Sequence, residues 1–310
     1  MEFFHKKTSF PFMATRKVWY TLSAVLMIVS FVSFYAKGLN FAIDFTGGIS
    51  VEATFSQDAK TDTIRTTVEA AGYHEPQVQT FGSTRDVTIR LQSTGETAEV
   101  LRPKFQAILA GIDPKVVISD LAVVGPQVGD ELRYSAIVSL AVTLVLIGIY
   151  IMLRFHTWRL SLGAILAVMH DPILVLGVFS VTQTPFDLPV VAAILAVIGY
   201  SLNDTVIVFD RIRENFEKNR RLAADLTLDA AINQTLSRTI MTKVVTSIVV
   251  VTLLILGGSA LRGFSEALLI GIIAGTYSSI YISSAIALSC GLKAEHLFPT
   301  VRKDPIDELP

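Results

Sequence analysis

The sequence predicts an α-helical polytopic membrane protein, with six transmembrane helices and a small α+β domain between the first two. Three observations carry that prediction. Hydrophobic residues make up 51% of the 310 and mean hydropathy is +0.55, above the range of soluble domains. The apolar residues gather in six runs, each long enough to cross a hydrocarbon core about 30 Å thick. The stretch 37–133 is instead mixed in polarity and punctuated by turn residues. Net charge is −1, so no bulk basic character points to nucleic acid. The single cysteine, Cys290, has no partner for an intramolecular disulfide.

The runs fall at about 18–36, 135–153, 160–181, 188–209, 239–257 and 264–291. The first lacks a small-residue cleavage site and reads as a retained anchor. The fifth is the weakest, because Arg238 and Lys243 crowd its start. Short-loop Lys and Arg set the orientation. Lys6, Lys7, Arg16 and Lys17 precede the first span, and Arg154 and Arg159 frame the turn after the second. Arg211, Arg213, Lys218, Arg220 and Arg221 follow the fourth span, and Lys293, Arg302 and Lys303 follow the sixth. The alternate short loops carry only Arg262. The expected arrangement is therefore a cytoplasmic N-terminus and first span (1–37), an extracytoplasmic domain (38–133), a helical bundle (134–292) and a cytoplasmic tail (293–310), in the cytoplasmic (inner) membrane.

Within the extracytoplasmic domain, 41–55 alternates apolar and polar residues around Gly47-Gly48 and reads as strand, turn, strand. Residues 58–71 have helical character and stop at Gly72. Segments 77–81 and 86–91 form a hairpin, 96–110 a helix ending at Gly111, and 115–124 a last strand before Gly125-Pro126. The order is the ferredoxin-like βαββαβ arrangement. It carries no His/Cys metal spacing, nucleophile elbow or phosphate loop, so neither an enzyme nor a bound cofactor or metal is expected, and binding or mechanical work fits better.

The candidate functional residues lie in the spans. Asp204, with Asn203, sits inside the fourth apolar run, about five residues from its cytoplasmic end. A carboxylate there costs about 2.5–3.5 kcal/mol on insertion scales and by default marks a pathway for protons or ions. Arg238 opens the next span on the same side and can reach toward it along a helix end. A charged carboxylate is favoured when a guanidinium approaches and a protonated one when it withdraws, which is the logic of a switch. Lys243 reads as a snorkelling anchor. His170 and Asp171 precede Pro172 in the third run, as supporting polar residues or as plain packing, with the proline free to bend the helix. Asp210, Arg211, Arg213 and Glu214 read as a solvated helix end.

Small residues recur every fourth position in the sixth run: Gly271, Gly275, Ser279, Ser283, Ala287 and Gly291. Such stripes favour close helix packing, inside the chain or against a partner. Residues 223–236 suit a helix along the inner lipid surface. Gly125, Pro126 and Gly129 are hinge candidates, although a plain turn is the commoner role.

Four segments carry a closer resemblance: FAIDFTGG at 41–48, VVGPQVGDEL at 123–132, the pair at 170–171, and LNDTVIVFDRIREN at 202–215. Together they resemble the SecD/SecF family of protein-export membrane proteins, in its shorter, SecF-type form, which is similar in architecture to the resistance-nodulation-division (RND) transporters. The resemblance implies association with SecD, YajC and the SecYEG translocon. It implies a role in late steps of preprotein export driven by the proton motive force. It also implicates the positions of Asp204 and Arg238 in proton transport, with a further carboxylate supplied by SecD. Three rivals share parts of this pattern. An efflux-transporter half would need a larger external domain. An intramembrane aspartyl protease would need Asp171 and Asp204 within a few Å of each other. A non-coupling scaffold for SecD would not need an active Asp204.

Overall fold

The computed structural model describes residues 8–298 except Glu75 and His156. Lys6, Lys7, Arg302 and Lys303 lie outside the described residues. In chain order the elements are α1 (Arg16–Lys37), α2 (Ile43–Thr46), β1 (Gly48–Thr54), α3 (Thr61–Ala70), β2 (Gln77–Thr80), β3 (Asp86–Leu91), α4 (Ala98–Ala110) and β4 (Val117–Val124). They continue as α5 (Pro126–Phe155), α6 (Trp158–Thr182), α7 (Leu188–Lys218), α8 (Ala224–Leu256), α9 (Gly258–Tyr277), a π-helical turn (Ser278–Ile282) and α10 (Ser283–Ser289). Six helices among the described residues are long and apolar enough to cross a membrane, the sixth being Leu261–Ser289.

These six helices are not equivalent. Over their most apolar stretch α6 and the sixth span are each 61% buried and α7 is 50% buried, against 17% for α1, 11% for α5 and 17% for α8. The first three form the centre of the bundle. The other three surround it and keep broad apolar faces outward. The centre is tight because small residues remove side chains where backbones meet. A Cβ at Gly271 would collide with Val197, and one at Gly163 would collide with the Ser283 carbonyl. The stripe of the sixth span therefore packs within this chain, apart from Gly291, which is exposed and closes the helix at φ 75°.

The α/β domain has a four-stranded antiparallel sheet in the order β2-β3-β1-β4. Alternation along the strands produces two unlike faces. Ile49, Val51, Ala53, Val87 and Ile89 point inward to Ile64, Val68, Leu101 and Phe105 of α3 and α4. Ser50, Glu52, Thr88 and Arg90 point the other way, toward the end of the bundle.

Several expectations change. Residues 43–46 form helix α2 rather than a strand: Gly47 takes φ 69° and its N–H returns to the Ile43 carbonyl. Phe45 consequently joins the bundle-side core beside Phe186 rather than the sheet. Residues 224–236 are not a separate surface helix. They begin α8, and Leu228, Ala231 and Ile232 pack on Phe209, Ile212 and Phe216 of α7. Helix α6 runs unbroken through Pro172. The solvent-facing group Asp210, Arg211, Arg213 and Glu214 is as expected partly exposed, with Asp210 paired to Arg154 at 2.6 Å and Arg211 to Glu214 at 2.5 Å.

The hinge candidates start α5. Pro126 is its first residue, where a missing N–H costs nothing. Gly129 lies within the helix, where an added Cβ would stand 2.9 Å from the Gly47 nitrogen. Gly47 is equally close to Pro126, at 2.8 Å from its Cα. These glycines thus serve a close approach between α2 and α5.

Candidate functional site

Helix α7 positions the site. Its first turn is capped by Asp187, which accepts the Val190 N–H at 2.9 Å, and is tied to α2 by Asp44, which accepts the Leu188 N–H at 2.9 Å. Around that anchor the Phe186 N–H reaches the Asn40 carbonyl, and the Ala42 N–H reaches the Phe186 carbonyl. Asn40 in turn accepts from Arg90 of β3 at 2.8 Å. Burial, with Asp44 nearby, pushes the Asp187 carboxyl up to about 6. Sixteen residues separate Leu188 from Asp204, roughly 24 Å of helix at 1.5 Å per residue. The domain and the intramembrane carboxylate therefore sit on one continuous rod.

Asp204 is 4% exposed and Lys243 of α8 is 5% exposed. Their charged atoms, Asp204 Oδ2 and Lys243 Nζ, are 2.6 Å apart. Apart from this ionic contact, neither atom has a hydrogen-bonding partner among the described residues. The ammonium also lies 4.3 Å from the ring centre of Tyr200, which adds cation–π attraction. Tyr200 is held by its hydroxyl to Thr246 and to the Thr242 carbonyl of the same α8. Two buried opposite charges so far from water are tolerated only together, since removal of either strands the other.

The expected partner differs. Arg238 is exposed and forms no ion pair among the described residues, although its charge reaches Asp204 through space. Asn203 is exposed too, facing away from the pair. Lys243 is a buried ion-pair partner and not a snorkelling anchor. The apolar run of the fifth span starts only at about 239, which in the sequence puts Lys243 near its end. The helix begins at Ala224, which sets Lys243 well inside it. The available signal was the match of a lone lysine in one apolar run with a lone aspartate in the run before.

A second polar cluster lies one turn back along α7. Asp171 of α6 is fully buried. Its Oδ2 accepts from Ser201 at 2.5 Å and from Ser278 at 2.9 Å, and its Oδ1 lies 3.1 Å from His170 Nδ1. Gly275 makes room: a Cβ there would stand 3.1 Å from Ser201 and 3.3 Å from Asp171 Oδ2. The π-helical turn brings the Ser278 hydroxyl to this point, in keeping with the frequency of such turns at working sites.

Comparisons with known proteins agree with this architecture. The pattern for the C-terminal part of the protein export membrane proteins SecD/SecF matches residues 104–293, and the SecD/SecF GG motif matches residues 32–59. The protein translocase subunit SecF of Haemophilus influenzae is 45% identical over 98% of this chain and 94% of its own length. The subunit of the same name from Vibrio alginolyticus is 44% identical over 96% of each chain. This chain belongs to the SecD/SecF family. In the crystal structure of SecDF, a translocon-associated membrane protein from Thermus thermophilus, the matching part superposes with a TM-score of 0.83 at 35% identity. That match covers 91% of this chain and 39% of the longer SecDF chain. SecDF in a form called super-membrane-facing matches at a TM-score of 0.68, with 34% identity over 93% of this chain. The SecD/SecF GG motif contains Gly47 and Gly48, the residues that let α2 lie on α5 and lead into β1.

Proposed function

We infer that this chain is a SecF-like subunit of the Sec protein-translocation machinery. With SecD it uses the proton motive force to promote late steps of preprotein export across the cytoplasmic membrane. The observation that carries this reading is the Asp204–Lys243 pair, buried in the bundle and shared between central α7 and peripheral α8. One helix movement separates the charges, and a separated carboxylate in that medium takes a proton. Each charge crossing the membrane gains about 2.3 kcal/mol per 100 mV, enough to drive such a two-state element. Arg238, on the same helix as Lys243, is a second cation for Asp204 in the alternative arrangement.

Helix α7 transmits the change to the α/β domain through its anchor at Asp44 and Asp187. The domain, facing away from the cytoplasm with both termini inside, then holds the emerging polypeptide against backsliding. Two further facts support a mobile assembly. The two SecDF structures match this chain with nearly equal identity and coverage but with TM-scores of 0.83 and 0.68. The outward apolar faces of α1, α5 and α8 supply surface for SecD and lipid, with YajC and SecYEG as further partners. The test is gradient-dependent export of a preprotein into inverted membrane vesicles. Asp204→Asn should insert and co-purify with SecD yet lose the gradient-dependent part. Undiminished gradient dependence in that variant would reject the proposal.

A further inference from the structure

We propose that His170 is a second proton-accepting group in the membrane bundle, with Asp171 as its orienting carboxylate. The proposal rests on the proton-coupling reading of Asp204 and extends it to a site one helical turn away. Its geometry begins with Asp171. Both hydroxyl contacts to Oδ2 are donations, from Ser201 at 2.5 Å and Ser278 at 2.9 Å. An ionised carboxylate is acceptor-only. Oδ1 is then left for His170 Nδ1 at 3.1 Å, which must carry a hydrogen to bond it. A donating Nδ1 places the lone pair of the neutral ring on Nε2.

That Nε2 atom is buried without a hydrogen-bonding partner among the described residues, on a side chain 4% exposed. A buried polar atom with no partner is costly in a purely structural site. A proton there changes the charge balance: a lone buried carboxylate becomes a neutral imidazolium–carboxylate pair. The proton forms an N–H bond at Nε2 as an O–H bond of hydronium breaks and water is released. No metal-like cation fits better, because such ions need oxygen lone pairs directed into a gap. Here Asp171 is the one carboxylate, and both sites on its Oδ2 already face hydroxyls.

Among the described residues, the neighbouring titratable groups have partners of their own or lie near helix ends. On α7, Asp204 follows Ser201 by three residues on the same face, about 4.5 Å along the axis, and is paired with Lys243 of α8. In the sixth span Tyr277 places its ring 5.8 Å from the His170 ring and donates its hydroxyl to the Trp19 carbonyl. The charged groups of α1, α5 and α9 lie near their ends: Arg16, Lys17 and Lys37; Asp130, Glu131, Arg133 and Arg154; Arg262 and Glu266. Ser201 joins the two sites mechanically, since any shift of α7 that separates Asp204 from Lys243 also loads the Ser201–Asp171 bond.

The experiment is solid-state nitrogen NMR of the full chain, labelled at histidine, in lipid bilayers from about pH 5 to about pH 9. The expected result is one imidazole absent from His170→Gln, carrying hydrogen on Nδ1 alone at high pH and becoming imidazolium at low pH. Asp204→Asn leaves Lys243 without its counter-charge and should displace that midpoint. Should His170→Gln fail to fold, Ser278→Ala keeps both residues and should also displace the midpoint. The proposal falls if the imidazole stays neutral throughout, carries hydrogen on Nε2 at high pH, or follows sodium rather than proton concentration. A midpoint unmoved in both variants overturns it as well. The measurement involves no export, so it fails or succeeds separately from the vesicle assay on Asp204.

Discussion

Asp171 and Asp204 are the same side chain, on neighbouring helices, in the same apolar bundle, and they are held in opposite ways. Asp171 accepts from two hydroxyls, on α7 and in the sixth span, and lies 3.1 Å from the His170 ring nitrogen of its own helix. Asp204 has one ionic contact, to a single lysine on a peripheral helix. The many-partnered carboxylate ties α6, α7 and the sixth span together. The singly partnered one depends on where α8 stands. A buried charge is fixed by several short bonds and made responsive by a single long-armed one.

The comparison breaks most visibly at Lys243. Lys243→Met strands the Asp204 charge and should cost about 3–5 kcal/mol, read as a fall in thermal unfolding temperature in detergent. Adding Asp204→Asn to it should recover most of that loss. If Lys243→Met were neutral, the pair would not be the contact that holds Asp204. Next comes the packing that makes the Asp171 cluster compact. Gly275→Val puts methyl groups where Ser201 and Asp171 already stand and should cost about 1–3 kcal/mol by overpacking. Cross-linking rates between cysteines placed on α6 and α9 should report the separation.

Smaller effects sharpen the contrast within one turn of helix. Ser278→Ala removes a donor from Asp171 and should destabilise by about 1 kcal/mol or somewhat more. Ser279→Ala removes a hydroxyl that only returns to the Thr276 carbonyl of its own helix and should change stability by less than about 0.5 kcal/mol. Equal losses in the two would remove the distinction between a bridging and a local hydroxyl. The smallest effect lies at the domain anchor. The Asp187 carboxyl is raised to about 6 in the fold, chiefly by burial. The folded state thus binds its proton more tightly than the unfolded chain does. Its contribution to stability is complete below the ordinary carboxylate range and declines as pH rises through about 6. Asp187→Asn should flatten that part of the pH–stability profile, measured by thermal unfolding between about pH 4 and about pH 8.

Much of this was legible in the residues. Length and polarity placed all six spans, because a helix in lipid must satisfy its backbone internally and shows as an unbroken apolar run. The sheet followed from alternation, and the structure pairs 77–80 with 87–90 as the hairpin reading requires. Helix α2 was not legible, since Phe41, Ile43 and Phe45 alternate like a strand, yet the rings of Phe41 and Phe45 pack on Phe186, far along the chain. The partner of Asp204 was missed for a related reason. Hydropathy marks where a span enters lipid, but pairing depends on helix rotation, and only packing fixes the rotation that turns Lys243 inward and Arg238 outward. The π-helical turn that carries Ser278 to Asp171 has no sequence signature in a run of small residues.

The most direct measurement is isotope-edited infrared spectroscopy of the Asp204 carboxyl in proteoliposomes holding this chain with its SecD partner, with and without an imposed proton gradient. The account predicts that a protonated-carboxyl band grows with the gradient, disappears in Asp204→Asn and persists in Ser279→Ala. A spectrum that ignores the gradient, or a band that survives Asp204→Asn unchanged, would contradict it.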